Sequence, residues 1–174
     1  MSVVLAKGHT LFVADTNVTE LPEAQELVEI ACEAARSVQL LGFTPRVAFL
    51  SYSSFGNPMG DRSAKVREAV SILDTMGVDF EYEGEMPPEL ALSPSKRGAY
   101  PFMRLTGPAN VLVMPAIHSA SIATKLVQEL GEATVIGPML LGMSKPVQIC
   151  PLSASVTKIL NMAIVAAYGA GALT

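Results

Sequence analysis

Residues 46–56 read RVAFLSYSSFG, and this stretch decides the fold. Its first half, Val47–Leu50, has the nearly continuous apolar character of a strand that is buried on both faces, as in a parallel sheet covered by helices. The strand delivers residues 51–56, which we call the serine loop, to its carboxyl end. Ligands usually bind at that end of an open α/β sheet, because loops there combine free backbone N–H groups with the N-termini of following helices.

The serine loop is therefore the first candidate for binding an anion or a phosphorylated ligand. Turn-forming residues follow it, and Asp61 or Ser63 can cap a helix that runs from about Ser63 to Met76. An ordinary polar turn between a strand and a helix has the same composition. The loop alone does not decide between a ligand site and a simple connection.

The composition indicates one compact domain with a large core. Half of the 174 residues are hydrophobic, only 16% are charged, and the mean hydropathy is +0.40. This apolar excess implies extensive burial, some of it in a subunit or domain interface. The net charge of −4 and the lack of a basic cluster argue against nucleic acid as a partner. A local phosphate site is compatible with this charge, since it does not need a basic protein.

Cysteines, histidines and apolar runs exclude several other classes of protein. Cys32 and Cys150 lie far apart without metal-binding spacing, so we expect structural thiols in a reducing cytoplasm. His9 and His118 are the only histidines, and no acidic residues cluster with them, which argues against a transition-metal site. The apolar N-terminus is too short for a signal peptide. The longest apolar run, residues 160–173, falls short of the roughly 20 residues that span a bilayer, so we expect no membrane segment.

Strand and helix patterns alternate along the chain. Thr10–Ala14 has strand character, and a helix follows from about Pro22 to Gly42, with apolar residues at three- and four-residue spacings. With the strand at Val47, these elements have the length of a right-handed strand–helix–strand crossover. We therefore predict a three-layer α/β/α sandwich with a mostly parallel or mixed sheet. The further predicted elements are a strand at Phe80–Gly84, a turn or short helix at Glu85–Leu92, a strand at Asn110–Met114, a helix capped by Ser119 or Ser121 that ends at Leu130, short strands at Thr134–Gly142 and Pro146–Ile149, and a final helix from Ser155 to Tyr168 with Ile159, Met162, Ala163, Ala166 and Ala167 on its apolar face.

Residues 93–108 show no usable periodicity and contain three prolines and two glycines. A loop of this length without secondary structure indicates a function or an interface. Its cations Lys96, Arg97 and Arg104 can meet ligand phosphates, although a solvated surface loop is the simpler explanation.

A set of short motifs stands in a fixed order along the chain. They are LFVADT at 11–16, GFTPRVAFLSYSSFG at 42–56, KV at 65–66, GE at 84–85, ANVLVMP at 109–115, KLVQEL at 125–130, IGPMLLGMSKPV at 136–147 and SVTKILNMA at 155–163. Together they resemble the second half of the phosphate acetyltransferase (phosphotransacetylase) family over residues 11–168. Residues 54–56, 85–86 and 113–115 look closer still to the phosphotransacetylase-like C-terminal region of bacterial NADP-dependent malic enzymes. The resemblance implies the second lobe of an isocitrate/isopropylmalate dehydrogenase-like fold.

The chain departs from this family where the family performs its chemistry. Active members carry a Ser-Arg pair before the last helix and an acidic residue shortly after it. The resemblance places Pro151 and Leu152 at the pair and Lys158 at the acidic position, and Glu129 replaces a further arginine. Leucine cannot form the two-pronged phosphate contact of arginine. These positions, together with the missing first lobe, imply that the chain does not transfer acetyl groups.

The resemblance implies a regulatory module that binds acetyl-CoA and contributes to homo-oligomerisation. It implies no cofactor in this module, and a malic enzyme catalytic domain outside this chain that holds NADP and a divalent metal. The candidate ligand residues are Ser51, Ser53, Ser54, Phe55, Gly56, Lys65 and, on the final helix, Asn161. We expect one module over residues 1–174, in which the helix at about 155–174 packs on an absent first lobe or on a partner subunit.

Two alternatives stay open. One is a phosphate acetyl- or butyryltransferase that a separate first lobe completes, which Pro151, Leu152 and Lys158 disfavour. The other is a dimerisation module with a vestigial pocket, which the apolar excess favours.

Overall fold

The structure is a computed structural model that describes residues 1–172, without the side chains of residues 94, 97 and 170–172. Leu173 and Thr174, the end of the predicted final segment, lie outside the described residues. The strands are β1 (Ser2–Ala6), β2 (His9–Ala14), β3 (Arg46–Leu50), β4 (Glu81–Met86), β5 (Val111–Val113) and β6 (Thr134–Ile136). The helices are α1 (Ala24–Leu40), α2 (Asp61–Met76), α3 (Pro88–Leu92), α4 (Ile117–Leu130) and α5 (Val156–Ala172), and a 3₁₀ helix spans Pro94–Ala99.

A mixed sheet forms the middle layer, with its strands in the order β4-β3-β5-β2-β1-β6. The first four of these strands are parallel neighbours, whereas β1 runs antiparallel to both β2 and β6. The predicted mixed sheet is therefore confirmed. Because parallel strands end at the same edge, this edge carries the serine loop after β3 and Asp15 after β2.

β1 has no counterpart among the predicted elements. It pairs with β2 from Ser2 and Val13 to Ala6 and His9. The two-residue turn between them, Lys7–Gly8, has positive φ angles of 49° and 77°. Such turns match the twist of hairpin strands, but they usually contain asparagine or aspartate before glycine. Because lysine stands in this place, the sequence lacks the turn signal from which the hairpin would be predicted.

The alternating side chains of β3 explain why helices cover both faces of the sheet. Val47 and Phe49 lie in the core beneath α1 and α2, whereas Ala48 and Leu50 lie in a second core with residues of α3 and α4. All four side chains are at most 3% exposed. Full burial of a side chain such as Phe49 contributes about 1.5–3 kcal/mol to folding. The three-layer arrangement is thus confirmed.

The caps predicted for α2 and α4 are wrong. Gly60 and Ala116 occupy the N-cap positions, neither with a side-chain cap hydrogen bond, and both helices begin earlier than predicted. Ser63 and Ser119 lie inside the first turn instead, and their hydroxyls donate to the carbonyls of Gly60 and Ala116 at 2.9 and 2.7 Å. At a helix start, a serine hydroxyl can accept a hydrogen bond from a backbone amide as the cap, or donate one to a backbone carbonyl from inside the first turn. Composition alone therefore does not identify the cap residue.

The C-terminal part of the chain has fewer strand residues than predicted. Of the two predicted strands, only Thr134–Ile136 joins the sheet, and Met139 and Gln148 form a single isolated bridge beyond it. The predicted start of the last helix is confirmed, since the Ser155 hydroxyl accepts a hydrogen bond from the Lys158 amide at 3.2 Å.

α5 exposes most of its predicted apolar face. Met162 is only 2% exposed, but Ile159 is 53% exposed. Ala163 and Ala167 are exposed as well. α5 packs against β6, so it covers an edge of the sheet rather than its middle. No helix in residues 1–172 is both long enough and apolar enough to cross a membrane.

Candidate functional site

The serine loop lies where β3 and β4 end side by side. Its first amide, that of Ser51, donates to the Met86 carbonyl at 2.9 Å, and the Phe55 amide donates to the Glu85 carbonyl at the same distance. Phe55 and Gly56 both have positive φ angles, 51° and 91°, and this brings the loop back toward β4. Because Phe55 is a bulky residue in a conformation that suits glycine, the loop needs contacts that hold it in this shape.

A buried carboxylate supplies these contacts. Oε1 of Glu85 accepts hydrogen bonds from the Ser53 hydroxyl at 2.6 Å, the Gly56 amide at 2.8 Å and Nη1 of Arg67 at 2.8 Å. Glu85 and Ser53 are completely buried, while the Arg67 side chain is 36% exposed. We call these four residues the Glu85 cluster. The other oxygen, Oε2, is buried and has no hydrogen-bond partner among the described residues.

A β-bulge aims the Glu85 side chain at the loop. The register between β3 and β4 passes from Phe49 opposite Gly84 to Leu50 opposite Met86, so Glu85 is the extra residue. Bulges re-aim side chains that regular alternation would direct elsewhere. Glu85 thereby reaches the loop that follows β3.

The Glu85 cluster divides the serines that the sequence analysis placed at the ligand. The Ser53 hydroxyl and the Gly56 amide both point at Glu85. Ser51 and Ser54 are only half-buried, and the Ser51 hydroxyl lies 3.5 Å from that of Ser53. Among the serines of the loop, the accessible hydroxyls are therefore those of Ser51 and Ser54.

Sequence reasoning missed the site roles of Glu85 and Arg67. The Gly-Glu pair at 84–85 is one of the family motifs, but nothing in its spacing connects it with residue 53. Arg67 lies two residues after the predicted Lys65. The sequence did contain one signal, an acidic residue just before a strand end. A carboxylate that is buried at such a place rarely lacks a partner, so a bonded partner for Glu85 could have been expected.

An aromatic cluster covers the serine loop. The Phe55 ring contacts those of Tyr100 and Phe102, with centroid distances of 5.5 and 4.9 Å. Both partners belong to the long segment 93–108, which therefore packs on the loop. Phe102 is 61% exposed, so the cluster also offers an aromatic surface to solvent.

Arg104 fastens this segment to the sheet and to α2. Its guanidinium bonds Asp74 through Nη1 and Glu83 through Nη2, and it lies 4.8 Å from the Tyr82 ring centroid. Burial opposes the charge of Arg104, but the hydrogen bonds with Asp74 and Glu83 outweigh it and raise its pKa. The hydrogen bond from Arg104, followed by one from Tyr82, lowers the pKa of Asp74. Arg104 is thus paired with two carboxylates, which argues against the suggestion that it meets a ligand phosphate.

The other two cations of the segment are less constrained. Lys96 is exposed, and the side chain of Arg97 lies outside the described residues.

Two predicted ligand residues lie away from the serine loop. Nζ of Lys65 bonds Oε1 of Glu23 at 2.8 Å, so this lysine links α2 to the start of α1. Asn161 lies with Lys158 in a hollow of about 300 Å³ beside β6. Three strands separate β6 from β3 in the sheet order, and at about 4.8 Å per strand this is a distance of roughly 19 Å. The structure does not bring Asn161 together with the serine loop.

The positions that depart from the family pattern lie at the surface or beside β6. Pro151 and Leu152 are exposed ahead of α5, and Leu152 is as exposed as an isolated residue, at 110%. Lys158 lines the hollow beside β6. A further cavity of about 460 Å³ lies between α1, residues 139–148 and α5, and none of the predicted ligand residues lines it.

The two cysteines are free thiols in the described residues. Burial, reinforced by the neighbouring Glu33, raises the pKa of Cys32. A protonated thiol is a poor nucleophile, so Cys32 has the properties of a structural residue.

Comparison with known proteins gives a consistent result. A protein-family model described as "Phosphate acetyl/butaryl transferase" matches residues 1–167. The NADP-dependent malic enzyme of Rhizobium meliloti (strain 1021) is 56% identical over 171 residues, which are 98% of this chain and 22% of that enzyme. The phosphate acetyltransferase of Bacillus subtilis (strain 168) is 32% identical over 166 residues, which are 94% of this chain and 51% of that enzyme.

A solved structure agrees with these sequence relatives. The phosphotransacetylase from Streptococcus pyogenes matches with a TM-score of 0.89 at 31% identity, over 98% of this chain and 54% of that one. The chain therefore spans about a fifth of the malic enzyme and about half of the phosphotransacetylases that it matches.

Proposed function

Since this chain belongs to the phosphate acetyl/butaryl transferase family, we propose that it is a regulatory acyl-CoA-binding module of an NADP-dependent malic enzyme, without acyl-transfer activity. The observation that carries the proposal is the combination of an ordered serine loop with an exposed Pro151–Leu152 where the family has its Ser-Arg pair. Binding needs shape and a few hydrogen bonds, whereas turnover needs specific charges in specific places.

The serine loop supplies the ligand contacts in this proposal. The hydroxyls of Ser51 and Ser54 are half-buried and lie at the carboxyl edge of the sheet, where anionic ligands are usually bound. Arg67 pairs with the buried Glu85 carboxylate through Nη1, and its guanidinium, which is 36% exposed, also brings N–H donors beside Gly56. The phosphate groups of acetyl-CoA are the ligand groups that match hydroxyls and a guanidinium.

We propose no acyl transfer, because the chain lacks the charged groups that this reaction requires. Transfer between acetyl-CoA and phosphate develops negative charge that donors must stabilise in the transition state. Leu152 offers neither charge nor hydrogen bonds, and Lys158 brings an amine to the position of the acidic residue. Leu152 is fully exposed, and Lys158 lies beside β6, away from the serine loop.

Regulation is the use that such a module has in a malic enzyme. The malate-oxidising domain, which we place outside this chain, holds NADP and a divalent metal, and acetyl-CoA bound to the present module inhibits it. A coupling free energy of about 1–3 kcal/mol between the two sites is enough for useful inhibition. We place the protein in the cytoplasm as a homo-oligomer.

The test is calorimetric titration of the purified chain with acetyl-CoA, with CoA and acetyl phosphate as controls. We expect saturable binding that Ser54→Ala weakens about tenfold, since one hydrogen bond to a charged group contributes about 1.5 kcal/mol. Ser71→Ala, which changes an exposed serine on α2 outside the serine loop, should bind as the wild type does. Absence of binding to the wild-type chain would refute the proposal, and so would acetyl phosphate formation by it.

A dimerisation module is the second candidate, and exposed apolar side chains favour it. Leu126 and Leu130 on α4 are 53% and 82% exposed, and Leu160 on α5 is 56% exposed. A protein that dimerises in sedimentation experiments but neither binds acetyl-CoA nor gains thermal stability from it would support this candidate over the first.

A further inference from the structure

We infer that Glu85 is the positioning residue of the serine loop, and that the loop presents Ser51 and Ser54 to a ligand only while the Glu85 carboxylate holds Ser53, Gly56 and Arg67. The ligand part of this inference rests on the proposed function. The role of Glu85 in holding the shape of the loop is inferred from the geometry alone.

The contacts of Glu85 reach half of the residues of the loop. Its side-chain oxygen Oε1 takes the hydroxyl of Ser53 and the amide of Gly56, and its backbone carbonyl takes the amide of Phe55. One residue of β4 therefore binds three of the six loop residues. The two loop residues with positive φ angles, Phe55 and Gly56, are both among the three.

The charge of the carboxylate explains why it is kept in the interior. A buried charge is unfavourable unless it is paired and hydrogen-bonded. Arg67 supplies the opposite charge from α2, and the loop supplies the remaining donors. The arrangement joins a strand end, a loop and a helix at one atom, so removal of the charge releases all three together.

This arrangement separates two classes of loop residue that look alike in the sequence. Ser53, Glu85 and Arg67 set the shape of the loop, whereas Ser51 and Ser54 are half-buried and their hydroxyls do not bond Glu85. A change in the first class alters both the loop and ligand affinity. A change in the second class alters affinity alone.

Amide hydrogen exchange in the ligand-free chain, measured by NMR, tests the first part. In Glu85→Gln the Gly56 and Phe55 amides should exchange at least tenfold faster, and the Gly56 amide proton should move upfield because it loses a charged acceptor. Glu89→Gln is the matched control, since Glu89 is an exposed glutamate four residues away. Unchanged Gly56 exchange in Glu85→Gln would overturn the inference.

A milder pair of variants keeps the test decisive if Glu85→Gln does not fold. Ser53→Ala removes one of the three donors, and Ser51→Ala removes a hydroxyl that does not contact Glu85. We expect faster Gly56 exchange in Ser53→Ala and wild-type exchange in Ser51→Ala. Equal exchange in the two variants would contradict the division of roles.

Titration with acetyl-CoA tests the ligand part under conditions in which every variant is folded. Ser53→Ala, Ser51→Ala and Glu85→Gln should all weaken binding by about tenfold, and Glu89→Gln should not. Faster exchange with unchanged acetyl-CoA affinity would overturn the positioning role while leaving the proposed function intact. If the wild-type protein does not bind acetyl-CoA, the proposed function is refuted. The exchange data alone would then test whether Glu85 holds the loop in its shape.

Discussion

The Ser53 hydroxyl donates a 2.6 Å hydrogen bond to Oε1 of Glu85, and both side chains are completely buried. The two residues stand 32 positions apart in the sequence, at the ends of neighbouring parallel strands. A serine that reads as a ligand residue therefore stabilises the interior of the loop. The stability of the fold and the shape of the candidate site depend on the same contact.

Ser53→Ala should lower the free energy of unfolding by about 1–3 kcal/mol, because it leaves a buried carboxylate with one donor fewer. Ser51→Ala should change it by less than about 0.5 kcal/mol, because the contacts of the Ser51 hydroxyl with the amide and the hydroxyl of Ser53 are long, at 3.5 Å. Urea denaturation of both variants and the wild type measures this difference. Equal midpoints for the two variants would show that the Ser53 contact contributes no net stability.

Arg67→Met should cost about 2–3 kcal/mol of unfolding free energy. It removes the charged partner of a fully buried carboxylate, and the partial exposure of Arg67 places the cost below that of breaking a completely buried pair. Arg62→Met, at an exposed position of the same helix, is the control and should be nearly neutral. Chemical denaturation gives both values, and a neutral Arg67→Met would mean that Glu85 needs no counter-charge.

Gly84→Ala should destabilise the protein by about 1–3 kcal/mol, as overpacking of a core does. A methyl group at residue 84 would lie 2.7 Å from Cβ and 2.9 Å from the carbonyl oxygen of Phe49 on the neighbouring strand. Gly98→Ala is the matched control, because, apart from the adjoining part of the chain, no described atom lies within 4 Å of its added methyl group. Thermal unfolding compares the two, and a similar melting temperature for both would show that β3 and β4 can move apart at little cost.

Asp74→Asn should destabilise the protein at neutral pH but not in acid. The hydrogen bond from Arg104 lowers the pKa of Asp74 below its unfolded value of 3.8. Its contribution to stability is therefore complete above that value and is lost as the pH falls through the lower, folded value.

Melting temperatures between pH 7 and pH 3 check this prediction. The difference between wild type and Asp74→Asn should shrink below about pH 4, where Asp74 of the unfolded chain takes up a proton while the folded carboxylate still keeps its charge. A difference that stays constant over this range would contradict the assignment.

The amino-acid sequence by itself determined the sandwich and the place of the serine loop. Val47–Leu50 is apolar on both sides of the strand, and the three- and four-residue spacing in α1 requires one buried face. Because these patterns repeat within a few residues, they can be recognised in a short stretch of sequence. The order of the motifs also indicated the family.

Only the tertiary structure decided which loop groups remain free for a ligand. The Glu85 cluster unites residues 53, 56, 67 and 85 through the parallel pairing of β3 with β4 and through a bulge that shifts the register by one residue. Simple alternation cannot foresee a bulge, because one extra residue redirects the side chains that follow it. The sheet order likewise separates Asn161 from the serine loop, since the position of β6 depends on its pairing with β1, a strand that the local pattern does not reveal.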